Sequence, residues 1–195
     1  DAPECLPGAG YEYKAVSAPE DLIPIQEPFG LQEDRENGLS DRTEAGGTKR
    51  SGSMVTALVN EYYRQTGRVV VGVSASKGGT STEQWKKSYI SDAVSRLESA
   101  RSYLSDHQIE VRDIYVVWCQ GETDGDHQVT KEIYKKNTQE LMEQFKKAGA
   151  SHVFLVQIGH FNYLLHGEKG KAWDKRYEVI RRAQEELCRE NSFFT

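Results

Sequence analysis

Apolar positions along this chain follow two rhythms. Ile114, Tyr115, Val116, Val117 and Trp118 form an uninterrupted apolar run rich in β-branched and aromatic residues, the mark of a buried strand. Val69–Val73 and His152–Ile158 read the same way. Elsewhere the apolar residues recur at helical spacing. Val55, Leu58, Val59 and Tyr62 lie on one stripe of a helix that Ser51 or Ser53 can cap and that runs to about Thr66. Ile90, Val94, Leu97 and Leu104 mark a helix over Ser88–Ser105. Tyr134, Leu141 and Phe145 mark one over Thr130–Ala148, and Trp173, Tyr177, Ile180 and Leu187 one over Trp173–Glu190. Gly67 and Gly149 close two of these helices. Phe193 and Phe194 open a further strand.

Strands alternating with helices predict an α/β fold: a parallel sheet covered by helices on both faces, in three layers. Residues 1–195 show no repeat and no linker, so one domain is expected. Asp1–Arg50 breaks both rhythms and holds all five prolines, Pro3, Pro7, Pro19, Pro24 and Pro28. It reads as irregular chain wrapped over the site face, with Gly38–Arg50 as a mobile surface loop. Glu27, Pro28, Phe29 and Gly30 read as a packed structural turn.

Charge and composition narrow the field. The net charge is -5, the pI about 5.6, and no basic run occurs, which argues against a nucleic-acid partner. No apolar run approaches the ~20 residues that span a bilayer. The cysteines Cys5, Cys119 and Cys188 form no C-x-x-C pattern, which argues against a disulfide framework and a zinc site; free thiols favour a reducing compartment. Cys119 reads as a small buried hydrophobe rather than a nucleophile.

Parallel strands of one sheet end on one side, so the loops at their carboxyl ends share a site. Three such loops are legible: Ser74–Trp85, Gln120–His127, and the segment of Gly159, His160, Phe161, Asn162 and Tyr163. Gly78 and Gly79 let the backbone approach a ligand and turn N–H groups toward it. The Gly79 (or Gly78) N–H and the Gln120 side-chain amide suit an oxyanion hole, and Glu122 is placed to orient a histidine base. Asp124 reads as a brace for its turn. Gly78, Thr80 and His160 are candidate substrate contacts; His127 is a weaker pocket residue. Asp124 and Asp126 begin like a calcium loop, but Val129 stands where that loop needs Gly. Ser74–Ser81 lacks the ending of a P-loop, and Lys77 is its only cation, so phosphate binding is the weaker reading.

WCQGETD, residues 118–124, resembles the Trp-x-Gln-Gly-Glu-x-Asp block of the SGNH hydrolases, in the branch of the sialate O-acetylesterases and carbohydrate esterase family six. KGGTS, residues 77–81, resembles that family's glycine block. The resemblance implies a flavodoxin-like parallel sheet, a serine acyl-enzyme hydrolysis of acetyl esters on sugars, and no metal or organic cofactor. It assigns Gly79 and Gln120 to the oxyanion hole, Glu122 to the triad carboxylate of some members, and an acetylated carbohydrate as partner.

The family's Gly-Gln-Ser-Asn block, with the nucleophile, should stand upstream of APECLPG. Its Asp-x-x-His block, with the base, should follow the strand opened by Phe193 and Phe194. The expectation is a longer working protein, or a second chain that supplies the first strand. Ser51, Ser53, Ser74, Ser76 and Ser81 lack a nucleophile-like context such as G-x-S-x-G, so none is assigned. The rival is a non-catalytic carbohydrate-binding protein on the same fold, with Trp85, Phe161 and Tyr163 stacking on a sugar.

Overall fold

A computed structural model describes residues 3–33, 52–161 and 166–195. The expected loop Gly38–Arg50, the candidate cap Ser51, and Asn162 and Tyr163 lie outside the described residues. In chain order the elements are β1 (Gly10–Lys14), β2 (Ala18–Pro24), α1 (Val55–Thr66), β3 (Val70–Val73), α2 (Thr82–Gln84), a π-helical turn (Trp85–Tyr89), α3 (Ile90–Asp106), β4 (Tyr115–Cys119), α4 (Glu122–Asp126), α5 (Lys131–Lys147), β5 (His152–Val156) and α6 (Gly167–Glu190). The chain is α/β. It divides into two compact units, residues 1–78 with 95–110, and residues 79–94 with 111–195.

The first unit corrects two expectations. Its sheet has the order β2-β1-β3, with β1 antiparallel to β2 and parallel to β3, so it is mixed rather than all parallel. The segment before Arg50 is not irregular throughout, since it supplies this hairpin. Five-residue β1 alternates too briefly to stand out between the prolines, yet its turn is fixed from a distance. The Glu33 carboxylate accepts the N–H groups of Val16 and Ser17 and the Ser17 hydroxyl. Arg96 lies 3.9 Å from that carboxylate, and both side chains are only 1% exposed. Its guanidinium also donates to the Ser74 and Glu33 carbonyls, so the buried charge is hydrogen-bonded as well as paired.

Helix α1 packs on this sheet where there is no side chain to keep it away. A Cβ on Gly10 would stand 2.5 Å from Val59 Cγ1. Ala9, Ile25, Phe29 and Val59 form the core beneath it. Gly67 ends α1 in a left-handed conformation, as the sequence predicts. The start of α1 is held from outside the helix. Glu27 accepts the Ser53 N–H and hydroxyl at 2.8 and 2.9 Å, and the Thr56 hydroxyl at 2.5 Å. The packed turn Glu27–Gly30 is therefore the anchor of a helix terminus. Burial raises the Glu27 pKa, but hydrogen bonds from Thr56, Phe29 and Ser53 prevail and hold it below its ordinary value.

In the second unit β4 and β5 pair in parallel, Tyr115 opposite His152 through Cys119 opposite Val156. Phe194 adds a parallel bridge to Val153, and the Val153 and Leu155 N–H groups donate to the Phe193 and Thr195 carbonyls, so the opening expected at Phe193 and Phe194 lies beside β5. One face of the sheet carries Val153 and Trp118 into the interior; Tyr115, Val117 and Phe154 stand exposed on the other. Helix α6 packs Tyr177, Ile180, Ala183 and Leu187 against Tyr134 and Ile158. It begins at Gly167, ahead of the expected Trp173.

Candidate functional site

The site lies at the carboxyl end of β4. Gly121 follows Gln120 with φ 149°, and a Cβ there would stand 2.8 Å from Ile180 Cγ2 and 3.0 Å from Ile158 Cγ2. Only glycine suits both this backbone and this contact. Helix α4 starts directly after it and places Asp124 in the interior, at 0% exposure. The Gln120 carbonyl accepts the Tyr134 hydroxyl at 2.9 Å and Gln184 Nε2 at 3.0 Å, and Gln184 Oε1 accepts the Ile158 N–H. Helices α5 and α6 thus fix the backbone at the strand end. Burial, only partly offset by the Gln184 bond, pushes the Tyr134 phenol well above its ordinary value, so it stays a donor.

The glycine loop comes to the same place. Gly79 has φ 68°, and a Cβ on Gly78 or Gly79 would meet nothing within 4 Å. Both glycines are exposed, and the chain turns inward at Thr80. The Thr80 hydroxyl accepts the Trp85 indole N–H at 2.9 Å, and its carbonyl accepts Gln120 Nε2 at 3.1 Å. Ser81 and Gln84 form a reciprocal capping box at the start of α2. Helical structure therefore begins at Thr82, not at Ser88. The π turn at Trp85–Tyr89 inserts an extra residue per turn and breaks the 3.6-residue rhythm there.

Asp124 joins the two loops. Its Oδ2 accepts the Thr82 backbone N–H at 2.9 Å and also Gln120 Nε2; its Oδ1 accepts the Thr82 hydroxyl at 2.6 Å. Asn137 donates to Thr82 Oγ1 at 3.2 Å, and Lys86 donates to Asn137 at 2.9 Å. Both hydrogens of Gln120 Nε2 are engaged, one by Thr80 and one by Asp124. Its Oε1 is buried without a hydrogen-bond partner among the described residues. The brace expected at Asp124 is present and reaches beyond its own turn. Thr82, Asn137 and Gln184 were not singled out by sequence. The Ser81-x-x-Gln84 capping box was the one local signal that could have placed Thr82 inside the site.

Of the sequence candidates, Gln120, Thr80 and the adjoining Gly79 come together here. Glu122 is exposed on the first turn of α4, and no described histidine hydrogen-bonds it. His127 is exposed at the end of α4. His160 is exposed after β5, with Nδ1 3.0 Å from Asp174 Oδ2; Asp174 also accepts the Phe161 N–H and Arg181 Nη1. Trp85 is buried, 4.9 Å edge-on from Trp118, so it packs the core and is not free to stack on a sugar. Phe161 packs against Trp173 and Tyr177. Cys119 is exposed, not buried as expected, because β4 points it to the uncovered sheet face. Partial enclosure and the Glu122 carboxylate push its thiol up, away from a nucleophilic thiolate. Among the described residues no group of three or more His, Cys, Asp or Glu could hold a metal ion, and no helix is long and apolar enough to cross a membrane.

The model of one protein family, described as carbohydrate esterase, sialic acid-specific acetylesterase, matches residues 20–194. No curated protein and no solved structure matches the chain.

Proposed function

Because the chain belongs to the sialic acid-specific acetylesterase family of carbohydrate esterases, we propose that it hydrolyses O-acetyl esters on sugars by a serine acyl-enzyme route. The observation that carries this reading is the hydrogen-bonded junction of the glycine loop and Gln120 at the end of β4. Serine and histidine are assigned to the family's Gly-Gln-Ser-Asn and Asp-x-x-His blocks, outside residues 1–195, and the whole fold to the three-layer SGNH type.

In this scheme the serine Oγ attacks the acetyl carbonyl and the histidine takes its proton. Collapse of the tetrahedral intermediate breaks the ester bond, and the sugar oxygen leaves with that proton. Water, deprotonated by the same histidine, then releases acetate and restores the serine. The Gly79 N–H and Gln120 Nε2 stabilise the oxyanion. A negative oxygen is a stronger acceptor than the neutral Thr80 carbonyl and displaces it from one Nε2 hydrogen. Glu122, or the Asp of the Asp-x-x-His block, orients the histidine; Gly78, Thr80 and His160 contact the sugar. Gln120→Ala in the full-length protein is expected to lower kcat by about 10²–10³ with the fold intact. Near-normal turnover removes Gln120 from the hole.

A second reading, carbohydrate binding without turnover, draws on the engagement of both Gln120 Nε2 hydrogens and on the lack of a described histidine at Glu122. It requires sugar binding by a wild-type protein that releases no acetate.

A further inference from the structure

We propose that Asp124 is a positioning residue that sets the sense of the Gln120 amide and locks it to the glycine loop. This rests on the oxyanion reading above and extends it to a residue that touches neither substrate nor the reacting atoms.

A primary amide has a donor end and an acceptor end of nearly equal size, and rotation about its last bond exchanges them. At Gln120 the choice is forced. The Nε2 end faces two acceptors, Asp124 Oδ2 and the Thr80 carbonyl. The opposite sense would set Oε1 against both, oxygen to oxygen, with a carboxylate as one of them. The observed sense leaves Oε1 buried and without a hydrogen-bond partner among the described residues, an unfavourable state for a polar atom. The network accepts that penalty to keep the donor end toward Asp124. Every group that bonds Asp124 is a donor, which suits an acceptor-only carboxylate. The second half of the device is Thr82. Its N–H and hydroxyl occupy both carboxylate oxygens, so the segment three residues beyond Gly79 is held by the same group that holds Gln120. One buried side chain thus sets both proposed oxyanion donors in a common frame, the condition under which fixed dipoles stabilise a developing charge.

The test uses the full-length protein and an aryl acetate as substrate. Asp124→Asn keeps the side-chain shape but removes the negative charge and turns one of the two acceptor positions into a donor, so either the Thr82 hydroxyl loses its acceptor at Oδ1 or the Thr82 N–H and Gln120 Nε2 lose theirs at Oδ2. It is expected to lower kcat at least about tenfold with KM within about twofold, because the loss falls on the transition state. In a Gln120→Ala background it is expected to cost less than it does alone, since one of the two donors it positions is gone. A second readout is the Gln120 side-chain amide in ¹⁵N-resolved NMR, whose hydrogen-bonded protons are expected to shift in Asp124→Asn. If Asp124→Asn does not fold, Thr82→Val removes the Oδ1 bond together with the one that Thr82 Oγ1 accepts from Asn137, and a smaller loss, again reduced in the Gln120→Ala background, is expected. Losses that multiply in the double variant, an effect carried by KM, or unmoved Gln120 amide resonances each overturn the proposal. If Gln120→Ala itself turns over normally, the oxyanion reading fails instead. If the wild type has no turnover, the catalytic consequence fails with it, and the NMR shift alone decides whether Asp124 sets the amide.

Discussion

At Gly121 one missing methyl group decides whether the site can form. A Cβ would stand 2.8 Å from Ile180 and 3.0 Å from Ile158, on a backbone with φ 149°. Gly121→Ala is expected to destabilise the protein by about 2–4 kcal/mol, combining backbone strain with overpacking; urea denaturation checks this. A cost under about 0.5 kcal/mol, the range of ordinary surface changes, would mean that α6 yields freely there. The residue letters Gln120-Gly121-Glu122 marked the site in the sequence because that block has a family counterpart. The reason for the glycine was not legible, since Ile180 lies far along the chain. The same holds for Arg96 and Glu33. Neither residue was singled out in the sequence, where they stand 63 residues apart, and only the closed fold makes them a buried pair. Cys119 was misjudged for a related reason: alternation puts it on one face of β4, but the sequence does not say which face is covered.

Helices were the most legible elements, because α1, α5 and α6 each sustain a 3.6-residue stripe over several turns. The hairpin β1–β2 was hidden by its short strands and flanking prolines, and the first turns of the helix after the glycine loop by the π turn. Between α5 and α6 the charged faces meet. Glu186 bridges Lys131 and Lys135 at 2.7 and 2.9 Å, and Lys135 also reaches Glu190. The hydrogen bonds from Lys131 and Lys135 hold the Glu186 carboxyl down at about 2, from an ordinary value of 4.5. A depressed carboxyl contributes stability above its unfolded pKa and loses it as pH falls through the folded one. Glu186→Gln is therefore expected to be less stable than the wild type at pH 7. The gap should narrow from about pH 4.5 downward, close near pH 2, and shrink with added salt. Denaturation midpoints across this range measure it; a pH-independent gap would mean that the side chain acts through packing.

The family match over residues 20–194 takes in most of the described chain, from within β2 through β3, β4, β5 and every helix among the described residues, and leaves β1 outside it. The broad α/β class was legible in the alternation of strands and helices. The mixed sheet was not, because pairing direction is set by which strands meet and not by what either strand spells. The cap of α1 shows the same dependence on distant chain, and it has a kinetic consequence. Ser53 and Thr56 meet a carboxylate 26 and 29 residues earlier. Two positions that far apart along the chain must meet before that cap exists, an entropic cost that precedes the reward. The expectation is a helix that enters the folding transition state with its first turn uncapped, the Glu27 contacts forming on the native side of the barrier. Glu27→Gln should leave the refolding limb of the chevron almost unmoved and raise the unfolding limb without changing its slope, a φ-value near zero. Slowed refolding would put this corner of the protein in the nucleus instead.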